Sequence, residues 1–283
     1  MKKEKLIENT LLVVASGTII VLGVISLVIF VWGLPIIFKT GVFNFLFGTS
    51  WLPSKKVFGI LPMIVGSIQV TLGALLFSVP LGLGCAIFLA EFAPKRVANF
   101  VRPAIQLLAG IPSVVYGFIG LIIVVPLIRT YFGGPGLSIL AGSIILGIMV
   151  LPTMISISQD SLEAVPRPYK EGSLALGATH WQTITRVILP SASSGIFAGT
   201  ILGIGREVGE TMATIMVVGN APVIATSILK PARTLTSNIA LEMAYASGEH
   251  RLALFATGVV LFIFIMLLNI LAGVVARRKV SRS

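Results

Sequence analysis

One cation and two carboxylates stand inside a long apolar stretch, in the run Gly203-Ile204-Gly205-Arg206-Glu207-Val208-Gly209-Glu210-Thr211-Met212. Placing such groups at hydrocarbon depth costs roughly 2.5–3.5 kcal/mol each on insertion scales, so each must face a protein partner or water. Arg206 lies 16 residues beyond Pro190, about 24 Å along a helix rising 1.5 Å per residue. On an unbroken helix Arg206 and Glu210 share a face and can pair, whereas Glu207 is rotated by about 100° towards another helix or a vestibule. A guanidinium is always charged, and its planar fork matches the oxygens of a tetrahedral oxyanion. A carboxylate beside it keeps it from becoming a permanent trap, so an anion binds weakly enough to leave. Gly203, Gly205 and Gly209 let a neighbouring backbone approach or leave room for a passing ion. The competing reading is a buried ion pair that only fixes helix packing.

The elements that must hold these residues follow from composition. Of 283 residues, 56% are hydrophobic and 11% charged, against about a quarter charged in a soluble domain. Lipid admits only helix bundles or closed barrels, and the sequence lacks the repeated period-two segments of a barrel. An all-α polytopic membrane bundle with six transmembrane helices is therefore expected, over residues 10–30, 63–92, 98–126, 137–156, 191–218 and 252–276. Pro80 is expected to kink the second span, and Gly110-Ile111-Pro112 to interrupt the third. The first apolar run exceeds the roughly 7–15 residues of a cleavable signal core and reads as a retained span.

The net charge of +11 points to loop placement rather than to nucleic acid. Thirteen of the 21 basic residues, among them Lys2, Lys3, Lys5, Lys95, Arg96, Arg167, Lys170 and Arg277, fall on one face of the six-span topology; seven fall on the other and Arg206 within a span. The richer face, with both termini, is expected to be cytoplasmic in a prokaryotic inner or plasma membrane. Trp32, Trp51 and Tyr131 fall near the predicted outer ends, where amphipathic rings favour the headgroup layer. The chain divides into an N-terminal helix and outer loop (1–57), a transmembrane core (58–276) and a basic tail (277–283). The single cysteine, Cys85, excludes an internal disulfide.

Residues 160–190, DSLEAVPRPYKEGSLALGATHWQTITRVILP, form a connection of a length that is usually functional. Two short helices are expected, 169–176 and 180–187, broken at Gly177, with Pro190 in the first turn of span five. Leu174, Leu176, Trp181 and Ile184 give the unit an apolar face that needs a partner surface. Glu171-Gly172-Ser173, Gly177 six residues after the glutamate, and Val187-Ile188-Leu189-Pro190 resemble the EAA motif of ABC-importer permeases. Gly172 and Ser173 replace its two alanines with residues of similar size. The resemblance implies a cytoplasmic coupling helix that docks on an ATPase subunit through Glu171, Gly177, Leu189 and Pro190.

Two further segments, GIGREVGETMATIMVVGNAP (203–222) and LAGIPSVVYGFIGL (108–121), look like those of PstC-type phosphate permeases, and the likeness runs over roughly residues 60–275. The related PstA subunit carries a similar pattern with less of the flanking text. The resemblance implies a type I ABC importer permease fold with a five-helix core, and places Arg206 and Glu210 in the passage of phosphate. Glu207 joins them as a third candidate for the pathway. It further implies as partners a second homologous permease, an ATP-binding subunit dimer and an extracytoplasmic phosphate-binding protein. No cofactor or metal is implied: His180 and His250 lie in opposite loops, and no G-x-x-x-x-G-K-[ST] phosphate loop occurs, so ATP hydrolysis belongs to another subunit. Ser113 and Ser143 have no His/Asp partner to make a nucleophile. The other readings open on the residues are a permease for molybdate or sulfate, an ion-coupled transporter with Glu207 or Glu210 carrying a proton, and a scaffold.

Overall fold

The computed structural model describes the backbone of residues 2–280 and the side chains of residues 7–270; residues 281–283 of the basic tail lie outside them. The chain begins with α1 (Lys2–Thr40), the short α2 (Val42–Phe47) and a two-stranded antiparallel hairpin, β1 (Trp51–Leu52) and β2 (Val57–Phe58). Then come α3 (Leu61–Ile87), α4 (Lys95–Ala109), α5 (Ser113–Ile119) and α6 (Val125–Phe132). The remaining elements are α7 (Ile139–Glu163), α8 (Arg167–Ala175), α9 (His180–Thr183), α10 (Leu189–Gly209), α11 (Met212–Val217), α12 (Leu235–Glu242) and α13 (Gly248–Val280). Residues 277–280 of the expected tail continue the last helix.

Among the described residues, six helical stretches are long and apolar enough to cross a membrane: Ile7–Thr40, Leu61–Phe92, Ser113–Phe132, Ile139–Glu163, His180–Gly209 and Gly248–Ile270. The expected count holds, with three differences in detail. The third span starts at Ser113, because Gly110 and Pro112 end α4 and leave it as a separate amphipathic helix. The second span begins at Leu61, two residues before the expected start, and its helix includes Pro80, the candidate for a kink. The fifth reaches back to His180 and stops at Gly209, short of the expected 218.

Helices α5 and α6 are joined by a π-turn over Gly120–Val124, and α9 and α10 by another over Ile184–Ile188. Each lies just before a proline, Pro126 or Pro190. A proline lacks the N–H that would close the regular turn, and the wider turn re-routes the freed carbonyl. Pro190 therefore lies within a continuous helical run, not at the opening of a span.

At the centre stands α7, whose Ile145, Leu146, Met149 and Val150 are 3% exposed or less. It packs between α3 and α10. Gly142 and Gly147 permit the contact with α3: a Cβ at Gly147 would meet the Ala74 carbonyl at 3.1 Å. The first span is peripheral and lies on α13, with the Trp32 ring tilted against Phe255 at 5.4 Å and Gly33 facing the Phe255–Ala256 backbone. That leaves a core of five spans with an added N-terminal helix.

Candidate functional site

Arg206 occupies the last turn of α10 and is exposed. Among the described residues it makes no ion pair, although it lies within electrostatic range of Tyr116 on α5. The expected pairing with Glu210 does not form, because the helix ends between them. Glu210 has extended backbone (φ −71°, ψ 130°), and its carboxylate Oε1 accepts from the Ala213 N–H at 3.2 Å, capping α11. Its carbonyl oxygen accepts from the Thr214 hydroxyl at 3.1 Å and from the Thr236 hydroxyl of α12 at 2.8 Å. Hydroxyls from 4 and 26 residues further on thus replace the lost helical bonds and fix the break. A guanidinium in the last turn of a helix sits at its negative end, which favours the charge.

Glu207, three residues from the break, faces the opposite way and is 3% exposed. Neither carboxylate oxygen has a hydrogen-bond partner. It lines a small pocket between α3, α7, α10 and α12, as the expected rotation away from Arg206 requires.

The two segments that carry the family likeness meet here. Helix α5 packs along α11, where a Cβ at Gly117 would sit 2.7 Å from Met216 Sδ and one at Gly120 2.7 Å from Val217. The Tyr116 hydroxyl donates to the Leu108 carbonyl at 2.8 Å, holding the α4–α5 break.

At one end of the bundle, α8 and α9 form the expected pair of short helices. Gly177 has φ +85°. Its N–H donates to the Leu174 carbonyl at 2.9 Å, and the Ala178 N–H to the Ser173 carbonyl at 3.2 Å, the paired bonds of a Schellman cap. Thr179 and Gln182 form a capping box that starts α9. Leu174, Leu176 and Trp181 are 40%, 91% and 60% exposed. Ile184, expected on the same face, is instead fully buried with Ala86, Leu162, Ile188 and Ala192, and anchors the pair to the bundle. Lys170 pairs with Glu91 at the end of the second span, adding a second tether. Glu171 lines a cleft of about 790 Å³ between α4 and α8. Leu189 packs against the Ile184–Ile188 cluster beside Pro190.

A buried polar cluster lies at the opposite end. Glu242 accepts from Trp51 Nε1 at 2.8 Å and from Arg233 Nη1 at 2.6 Å, and lies 2.7 Å from His250 Nε2. Arg233 also donates to the Asn220 carbonyl at 2.8 Å and the Asn238 side chain at 3.0 Å. Burial alone would raise the Glu242 carboxyl; the bonds from Trp51, His250 and Arg233 and the Arg233 charge outweigh it and hold the group below the usual carboxylate value. Trp51 is thus 5% exposed and tied to a carboxylate rather than resting in headgroups; Trp32 and Tyr131 are exposed, 46% and 77%. Sequence reasoning missed this cluster because its members are scattered over 200 positions and none forms a motif.

Broken helices beside Arg206 in a six-span bundle, together with an exposed helix pair at one end, fit a membrane-embedded transport subunit. The chain belongs to the family of binding-protein-dependent transport system inner membrane components, whose model matches residues 78–281. It is 41% identical to a probable ABC transporter permease protein YqgH of Bacillus subtilis, over 97% of this chain and 92% of that one. It is 37% identical to the phosphate transport system permease protein PstC of Mesorhizobium japonicum (85% and 80% covered), and 35% identical to PstC of Xylella fastidiosa (95% and 89%). Among solved structures, a chain of the inward-facing MetNI methionine ABC transporter superposes with a TM-score of 0.63 at 19% identity, covering 81% of this chain and 99% of that one. A chain of a bacterial alginate importer superposes at 0.59 with 16% identity, covering 77% and 79%. The fold is that of type I ABC importer permeases, and the chain is a multi-pass inner-membrane transport permease.

Proposed function

We propose that this chain is a PstC-type permease subunit of an ATP-driven phosphate importer, lining one side of the pathway while a second homologous permease lines the other. The observation that carries the reading is Arg206: an exposed guanidinium without an ion pair among the described residues, in the last turn of a membrane-spanning helix. Such a group requires a partner surface or an aqueous path beside it, and its fork suits an oxyanion. The extent of likeness to PstC proteins supports phosphate in particular. Glu210, held at the helix break by α11 and α12, balances the field near Arg206 so that the anion leaves. Glu207 stands behind the wall of the pathway, one residue from Arg206, as the third candidate of the site.

The α8–α9 pair is the docking element for an ATP-binding subunit dimer. Gly177 sets its bend, Glu171 its polar edge, and Leu189 and Pro190 its junction with the fifth span. That end and both termini are cytoplasmic by the distribution of basic residues. A phosphate-loaded binding protein docks at the opposite end, where the buried Glu242 cluster ties the hairpin to α12 and α13. Residues 1–57 are an addition to the transport core 58–276.

The test is uptake of labelled phosphate by proteoliposomes holding the complete assembly, with excess sulfate or molybdate as competitor. Only unlabelled phosphate should compete. Equal competition by either other oxyanion refutes the substrate, and uptake that survives ATP depletion but collapses with the proton gradient refutes the transport class.

A further inference from the structure

The Glu207 pocket is unlike the rest of the bundle. Its carboxylate is 3% exposed, and neither oxygen has a partner. Around it stand the hydroxyl-bearing residues Ser67, Thr71, Thr214, Thr234 and Thr236, with Glu210 at the margin. The enclosed space is about 10 Å³, the size of a single water.

An ionised carboxylate without a partner in such surroundings is strongly disfavoured, and no cationic side chain lines the pocket; Arg206, one residue before, points out of the bundle. The backbone reinforces the imbalance. Helix α10 ends at Gly209, so the negative end of its dipole lies beside the pocket. Three of the hydroxyls already give up their protons: Thr214 and Thr236 donate to the Glu210 carbonyl, and Thr234 to Ser237. Their oxygens are left with lone pairs alone to offer the pocket. In membranes, the C-terminal ends of interrupted helices and unwound carbonyls coordinate small monovalent cations; here such an end meets hydroxyl-bearing residues and a buried carboxylate.

We propose that this pocket is a binding site for one sodium-class monovalent cation, with Glu207 as its charged ligand and the threonine hydroxyls as neutral ones. The volume decides among cations. Calcium takes about 6–8 oxygen ligands, and magnesium keeps several waters, for which there is no room. A bare monovalent ion fits where one water fits, and sodium, the smaller of the common ones, forms the shorter bonds to a few converging oxygens. Phosphate is excluded by size and by the two carboxylates. A cation here would tie α3 and α12 to the end of α10, three residues from Arg206, and so would set the field at that guanidinium. The proposal does not rest on phosphate being the substrate, since binding is measured without transport.

The test is binding of ²²Na⁺ to the full-length chain, purified in nanodiscs with its co-isolating subunits and titrated in choline chloride at constant ionic strength. Saturable binding should fall by about one ion per chain in Glu207→Gln. Thr71→Val, which removes one neutral oxygen and keeps the shape, should raise the half-saturating sodium concentration about tenfold. Wild-type protein that binds no sodium saturably overturns the site whatever the variants do. Unchanged binding in Glu207→Gln, or in Thr71→Val should the first variant fail to assemble, also overturns it. A thermal midpoint that responds to pH but not to sodium, with the response lost in Glu207→Gln, shows that Glu207 holds only a proton and rejects the cation.

Discussion

Replacing Gly177 with valine isolates one backbone angle. The residue sits at φ +85°, and a Cβ built on it meets nothing within 4 Å, so the substitution introduces no clash. What remains is the left-handed conformation, which costs an L-residue roughly 1–2 kcal/mol, with β-branched side chains at the upper end. In the free permease the α8–α9 bend is exposed and can relax to escape the strain. Docked on a rigid partner it cannot, so the strain is charged to the complex. A loss of about 1–2 kcal/mol corresponds to an affinity for the ATPase subunit lowered about 5–30-fold. Gly177→Asn, which tolerates the left-handed region, should recover most of that. The assay is a titration of labelled ATPase subunit against nanodisc-embedded permease, with thermal stability of the permease as control. Valine and wild type binding equally would refute the role of the bend, and asparagine binding as poorly as valine would refute the conformational cause.

The exposed face of the same element should behave differently: Leu176→Ala and Trp181→Ala each remove apolar surface that the bundle does not cover, and should weaken ATPase binding about tenfold while leaving the thermal midpoint of the permease unchanged. Trp51→Phe deletes one donor to a buried carboxylate, and should lower stability by about 1.5–3 kcal/mol in thermal unfolding. Because Glu242 titrates below its ordinary value when folded, its contribution is complete above about pH 4.3 and is lost as pH falls through the folded value; Glu242→Gln should abolish that part of the acid dependence. Gly66→Ala forces a methyl to within 2.4 Å of the Arg233 carbonyl, and should destabilise the α3 contact by about 1–3 kcal/mol, read from the same melts.

Hydropathy made six spans legible because each had to satisfy its own backbone in lipid. The bend at Gly177 was legible because glycine adopts its left-handed conformation at less cost than other residues. The break at Gly209 was not. Residues 211–218 are mostly apolar and look like a continuation, and the bonds that stop the helix come partly from Thr236, a residue distant in sequence. Gly209-Glu210-Thr211 carried a weak signal, since glutamate and threonine both favour helix starts. Arg206 and Glu210 were found as a pair by spacing alone, and spacing misplaces them once the helix between them ends. Ile184 shared the helical register of Trp181 closely enough to be assigned to the docking face, yet the wide π-turn beginning at Ile184 brings its side chain under the bundle. The Glu242 cluster shows the general limit: buried polar networks are set by tertiary proximity.

Binding-protein-dependent uptake of labelled phosphate by Arg206→Gln, in assemblies that still contain every subunit and still hydrolyse ATP, bears most directly on the role of the intramembrane guanidinium. Uptake should fall by at least about thirtyfold, the lower end of the 2–5 kcal/mol lost when one partner of a desolvated charge contact is removed, and Arg206→Lys should retain part of it because the charge survives without the fork. Wild-type uptake rates in Arg206→Gln would mean that no anion meets this side chain on its way through the membrane.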